Sequence, residues 1–163
     1  MKLRNIPVFV SLLTLGTLPL AAGTVEVQYA DPGSYRDFSV SGMSEEKTLP
    51  ILKRELEPVL EKMGKQYVPE GHTFKMTITD IDMAGDIQPW RNLHHDDIRY
   101  VESIYPPRIK FDYQLVDADG NVVAEDSVNF GDIGFLYTNV SISRFQDSFH
   151  YEVNLVEDWF RNK

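Results

Sequence analysis

The chain has 163 residues, no cysteine, and 25 Asp plus Glu against 16 Lys plus Arg, a formal net charge of −9. The missing cysteine excludes disulfides, thiolate metal centres, cysteine nucleophiles and a lipid-modified cysteine. The acidic balance makes nucleic acid and anionic lipid poor partners.

Lys2 and Arg4 precede the apolar run Ile6 to Leu18, and the small residues Ala21, Ala22 and Gly23 follow. This is the order of regions in a secretory signal peptide. The run is shorter than the about 20 residues a membrane span needs and is interrupted by Ser11 and Gly16. The expectation is a cleaved leader at residues 1–22 and a single domain at 23–163, soluble in the periplasm. Lys2 and Arg4 leave with the leader, which takes the formal net charge from −9 to −11. Every later apolar stretch is interrupted by charge, so no integral membrane segment is expected in the mature chain.

Val25, Val27 and Tyr29 alternate with Glu26 and Gln28, the period of a half-buried strand, and Asp31-Pro32-Gly33-Ser34 ends it. From Ser44, Leu49, Leu52, Leu56, Leu60 and Met63 recur at helical spacing with Ile51 and Val59 beside them. The pattern predicts an amphipathic helix closed by Gly64, with Pro58 kinking it or opening a second segment. Phe74, Met76 and Ile78 then alternate with Lys75, Thr77 and Thr79 in a second strand that ends at Asp80 and Asp82.

Ile109, Phe111, Tyr113 and Leu115 mark a third strand, and Asp117-Ala118-Asp119-Gly120-Asn121 turns it into a fourth over Val122 to Phe130. The Asp-x-Asp-Gly-Asn string resembles the start of a calcium loop, but Val128 stands where the closing acid belongs, so it reads as turn chemistry. A last helix carries Phe149, Val153, Val156 and Phe160 on one face, widened by Leu155 and Trp159, with His150 and Glu152 directed to solvent. The order β-α-β-long loop-β-β-α predicts an α+β two-layer sandwich, with a mixed sheet of about four strands and two helices on one face.

The segment Met83 to Pro107 is long for a connection without secondary structure, and such loops usually have a function. It concentrates carboxylates, imidazoles, guanidiniums and an exposed aromatic. Asp80, Asp82 and Gly85 are read as loop-structuring: strand-end carboxylates accept N–H bonds from the loop and pair with Arg91, Arg99 or Arg108. Trp90, Arg91, His94, His95, Arg99, Tyr105 and Arg108 are the candidates for a binding surface, because exposed aromatics and Arg favour interfaces. Asp80, Asp82, Asp86 and His94 are weaker candidates for a divalent cation, with His95 beside them. The calcium-loop template fails at Ala84 and Arg91, and no His-Glu-x-x-His string occurs. No nucleophile elbow, phosphate loop or Cys–His pair is present, so no catalytic residue and no cofactor is assigned.

Asp80-Ile81-Asp82-Met83-Ala84-Gly85, Pro89-Trp90, Ile98-Arg99, Tyr105-Pro106-Pro107-Arg108-Ile109, Tyr151-Glu152 and Asp158-Trp159-Phe160 resemble an uncharacterised family of secreted proteobacterial proteins, a domain of unknown function. The likeness spans nearly the whole mature chain. It implies a one-domain envelope protein and carries no activity or catalytic residue; many members look lipid-anchored, through a cysteine that this chain lacks. The expected function is a binding or envelope-assembly accessory domain without catalysis, whose partner is an envelope protein or a small ligand. The alternative is a metal-dependent enzyme or metal-binding protein using the Asp80–His95 segment.

Overall fold

The computed structural model describes residues 22–91, 97–137 and 146–163; residues 1–21 of the expected leader, His94, His95 and Asp96 lie outside them. Strand β1 (Thr24–Tyr29) leads into helix α1 (Glu45–Tyr67) and strand β2 (Thr73–Asp82). Two short strands, β3 (Asp86–Ile87) and β4 (Arg99–Tyr100), precede β5 (Arg108–Val116), β6 (Val122–Gly131) and helix α2 (His150–Arg161). The main sheet has the order β1-β2-β5-β6, and β3 and β4 form a separate two-stranded sheet. The protein is an α+β fold.

β1 runs parallel to β2, and α1 joins them, while β2, β5 and β6 are antiparallel neighbours. Alternation sorts the sheet into two faces. Phe74, Met76, Ile78, Ile81, Ile109 and Phe111 share one core cluster with Leu52, Leu56, Leu60 and Met63 of α1 and Val153, Val156, Trp159 and Phe160 of α2. Trp159 meets the Phe111 ring edge-on at 5.0 Å and Phe160 lies 5.1 Å from Phe74, so α2 is pinned by aromatic contacts to β2 and β5. The opposite face carries Lys75, Thr77, Asp112, Gln114 and Lys110.

Ile78 and Ile81 are both fully buried although their spacing of three would place them on opposite faces of a regular strand. The register with β5 shifts between Ile78 and Asp80, so Thr79 is the additional residue of a β-bulge. The bulge resets the alternation and turns Asp80 and Asp82 together onto the polar face.

Three sequence expectations need correction here. Gly64 does not close α1, which continues to Tyr67, where the Val68 N–H donates to the Gly64 carbonyl at 3.1 Å. Gly64 is instead a point of close approach: a Cβ there would lie 3.0 Å from Val25 N and 3.2 Å from Gly23 O. Pro58 lies inside one continuous helix without starting a new one; it faces solvent, so the Arg54 carbonyl it cannot bond is open to water. The long connection is not structureless, since β3 and β4 fold part of it into a hairpin-like arm. The β5–β6 turn is closed as expected by Asp117, whose Oδ1 accepts the N–H groups of Asp119 and Asn121 at 2.9 and 2.8 Å.

Gly64→Ala therefore presses a methyl group into the β1 backbone and should lower stability by about 1 to 3 kcal/mol. Chemical denaturation reads the loss, and amide exchange should localise it to β1.

Candidate functional site

The arm leaves the sheet through Met83, Ala84 and Gly85, all buried. Gly85 has φ +80°, and a Cβ there would lie 2.6 Å from the Tyr100 carbonyl oxygen, so only glycine lets β3 turn this tightly against β4. Its N–H donates to the Tyr105 carbonyl at 2.9 Å, closing the base of the arm.

Arg99, on β4, fixes the arm to the domain. Its two terminal nitrogens donate to both Asp37 carboxylate oxygens at 2.7 Å each, to Gly85 O at 3.0 Å and to Ser39 O at 3.1 Å. This is a fork-to-fork pair, with the guanidinium side chain 13% exposed. Asp37 is itself stitched to the end of β2, since its N–H donates to Ile81 O and its carbonyl accepts from Met83 N–H. One arginine thus joins the β1–α1 connection to both sides of the arm.

A second clamp comes from α2. Glu152 Oε1 accepts the Ala84 N–H at 2.7 Å, and the residue is 2% exposed. Burial pushes its carboxyl up to about 7, against the Ala84 hydrogen bond and the Arg99 charge, which favour the ionised form. The expected solvent-facing position of Glu152 is corrected: helical spacing of the apolar residues does not reveal a carboxylate facing a backbone donor 68 residues away. His150, expected beside it in solvent, is half-buried, with Nδ1 2.8 Å from the Asp147 carbonyl.

Asp80 and Asp82 structure this end of the fold, chiefly with partners other than those expected. Asp80 accepts the Arg36 N–H at 2.9 Å and the Lys110 ammonium at 2.7 Å, tying the residues after β1 to β2 and β5. Burial raises its pKa, but the Lys110 and Arg36 hydrogen bonds outweigh that and hold it below the usual value. Asp82 faces Arg36 at 3.5 Å, and burial leaves its pKa raised in spite of that arginine. Of the three arginines expected to serve these aspartates, Arg99 is taken by Asp37 and Arg91 pairs with Glu102 at 2.9 Å, whereas Arg108, opposite Asp82 across β2 and β5, does favour the Asp82 carboxylate by its charge while donating to Asn129 at 3.2 Å. The signal for Asp37 was absent locally, because its partner is 62 residues away.

Asp82, Asp86, Tyr105 and Arg108 line one open cleft of about 550 Å³, together with Arg36 and Ile104. Among the described residues no three His, Asp or Glu side chains converge as metal ligands. Asp80 is engaged by Lys110, and Asp86 lies on β3, so these two and Asp82 do not form a cation site; His94 and His95 are outside the described residues. Trp90 stands 71% exposed at the arm's outer turn, next to Arg91, whose guanidinium lies 4.7 Å from the Tyr100 ring centre.

A model of a protein family of unknown function, DUF3016, matches residues 23–162. The chain belongs to the DUF3016 family. Its domain therefore takes in the whole described fold from β1 to α2. No curated protein matches it. Among solved structures, a PelC dodecamer from Paraburkholderia phytofirmans is 11% identical, with 82% of this chain and 87% of that chain covered, at a TM-score of 0.24. That likeness is too distant to carry fold or function.

Two outcomes follow from the clamps of this DUF3016 domain. Asp37→Asn removes the charge that neutralises a largely buried guanidinium and should cost about 2 kcal/mol. Arg91→Ala, at an exposed pair, should cost less than about 1 kcal/mol; urea denaturation compares them. Glu152 titrates higher in the folded state than its ordinary 4.5, so between about 4.5 and 7 the folded chain binds more protons than the unfolded one. Its contribution to stability is then fully present below the unfolded value and lost as pH rises toward 7. Denaturation midpoints across that window should fall less steeply with rising pH in Glu152→Gln than in the parent chain.

Proposed function

We propose that residues 1–22 are a cleaved leader and that the DUF3016 domain works in the periplasm as a non-catalytic binding or assembly accessory, with the Met83–Pro107 arm as its contact surface. One observation carries this reading. Among the described residues, Trp90, Ile98, Val101 and Ile104 of the arm and Ile133, Leu136 and Tyr137 after β6 are large, apolar and exposed. Arg108 opens β5 opposite Gly131, the end of β6, so both connections leave the same end of the sheet.

Concentrated apolar exposure of this kind marks interaction sites, and Trp, Tyr and Arg are the residues that dominate them. The double clamp supports the same reading. The base of the arm, held by Arg99 and Glu152, has little conformational freedom left to lose on contact, so more of the contact energy is retained as affinity. The partner is then a protein or small ligand with an apolar contact face.

The test expresses the full chain in a Gram-negative host, with a photo-crosslinking residue replacing Trp90, Tyr137 or, as a control, exposed Lys65 of α1. The expected result is a periplasmic chain whose intact mass starts at Gly23 or Thr24, with a discrete adduct from Trp90 and Tyr137 and none from Lys65. An uncleaved cytoplasmic chain overturns the address. Adducts from Lys65 alone, or from no position, overturn the surface.

A further inference from the structure

The two edges of the main sheet are unlike. β1 is six residues long, and Asp37 bridges to Asp82 along the same side of β2 beyond it. β6 is ten residues long, and no described residue pairs with its outer edge. Natural sheets blunt such an edge with proline, lysine, a bulge or a covering segment. Val122 to Gly131 contains neither proline nor lysine, and its register shift lies at the very start, opposite Leu115 and Val116.

The side chains along this edge are also uncovered on both faces. Every residue from Val122 to Ser127 is exposed, including Ala124 and Asp126, which alternate onto the same face as the half-buried Val128 and Phe130. The helical layer therefore stops short of this half of β6. Val122 and Val123 are 49% and 52% exposed, which gives the edge apolar surface as well as backbone donors and acceptors that no described residue pairs.

We propose that the outer edge of β6 receives an extended, Lys- or Arg-bearing segment of a partner polypeptide as a fifth strand. Backbone pairing supplies the affinity in such additions, and alternate side chains supply the selection. The charge of the site chooses the occupant. Glu125 and Asp126 sit mid-edge, and the shallow concavity beside them is lined by Glu26 and Asp112 with Lys75 as its one cation among the described residues. A two-fold pairing centred on β6 of two copies would set both Glu125-Asp126 pairs on neighbouring rungs, and like charges across strands destabilise the pairing. A basic segment meets the same acids favourably. This edge is separate from the arm surface and does not depend on it.

The probes are two extended peptides, one alternating valine with lysine and one alternating valine with glutamate, titrated into the full mature chain while backbone amide exchange is followed. The expected result is saturable binding of the lysine peptide, about tenfold tighter than the glutamate peptide, because the acid that shares the charged face of the peptide attracts lysine and repels glutamate, with new protection at alternate β6 amides. Glu125→Lys with Asp126→Lys should reverse that preference, an outcome that misfolding cannot imitate; Glu125→Gln with Asp126→Gln should abolish the preference while leaving the fold intact. Equal binding of both peptides, protection outside β6, or a dimer of the parent chain that pairs through β6 would each overturn the proposal.

Discussion

The bidentate contact between Arg99 and Asp37 is the constraint on which the arm end of this fold depends. It supplies a charged link between the arm and the polypeptide after β1, beside the backbone ties at Gly85 and Ala84. A guanidinium suits the role because its planar fork satisfies a carboxylate and two carbonyls at once, which an ammonium on a flexible stem does not reproduce. The geometry is rigid where the arm begins and polar where it meets the core, so the arm's apolar side chains are left for the outside.

That division extends through the fold. The sheet's buried face is given to α1 and α2, and its other face is a field of Lys, Thr, Asp and Gln side chains that pair across strands, as Gln114 does with Glu125 and Ser127 with Asp112. At the arm's base, Asp37, Asp80, Asp82 and Glu152 each answer a backbone N–H or a cation.

Much of this architecture was legible because it is periodic. Alternation located β1, β2 and β5, the Asp117 to Asn121 turn placed β6 after them, and helical spacing located α1 and α2. The illegible parts depend on contacts between distant segments. The bulge at Thr79 was hidden because the apolar pattern of Phe74, Met76 and Ile78 stops there, and the resumption at Ile81 only makes sense once β5 is beside it. Gly64 looked like a helix end because glycine commonly is one; its reason lies in the backbone of β1. Asp37 sits in an unremarkable stretch of sequence, and Glu152 on a face whose polar residues are usually solvated. At the base of the arm, sequence singled out Asp80, Asp82 and Gly85, which hold backbone or charge there, but it did not separate Arg99 and Arg91, which serve Asp37 and Glu102, because several cations and several carboxylates compete at similar sequence distances.

The parallel pairing of β1 with β2 has a kinetic consequence. Thr24 and Thr73, which face each other across that pair, are 49 residues apart in the chain, whereas β5 and β6 are joined by a short turn. Closing the longer loop costs more chain entropy before any contact compensates it. The hairpin is therefore the early element and β1 the last to dock, so the edge of β2 that receives it stays open until the rest of the domain has assembled.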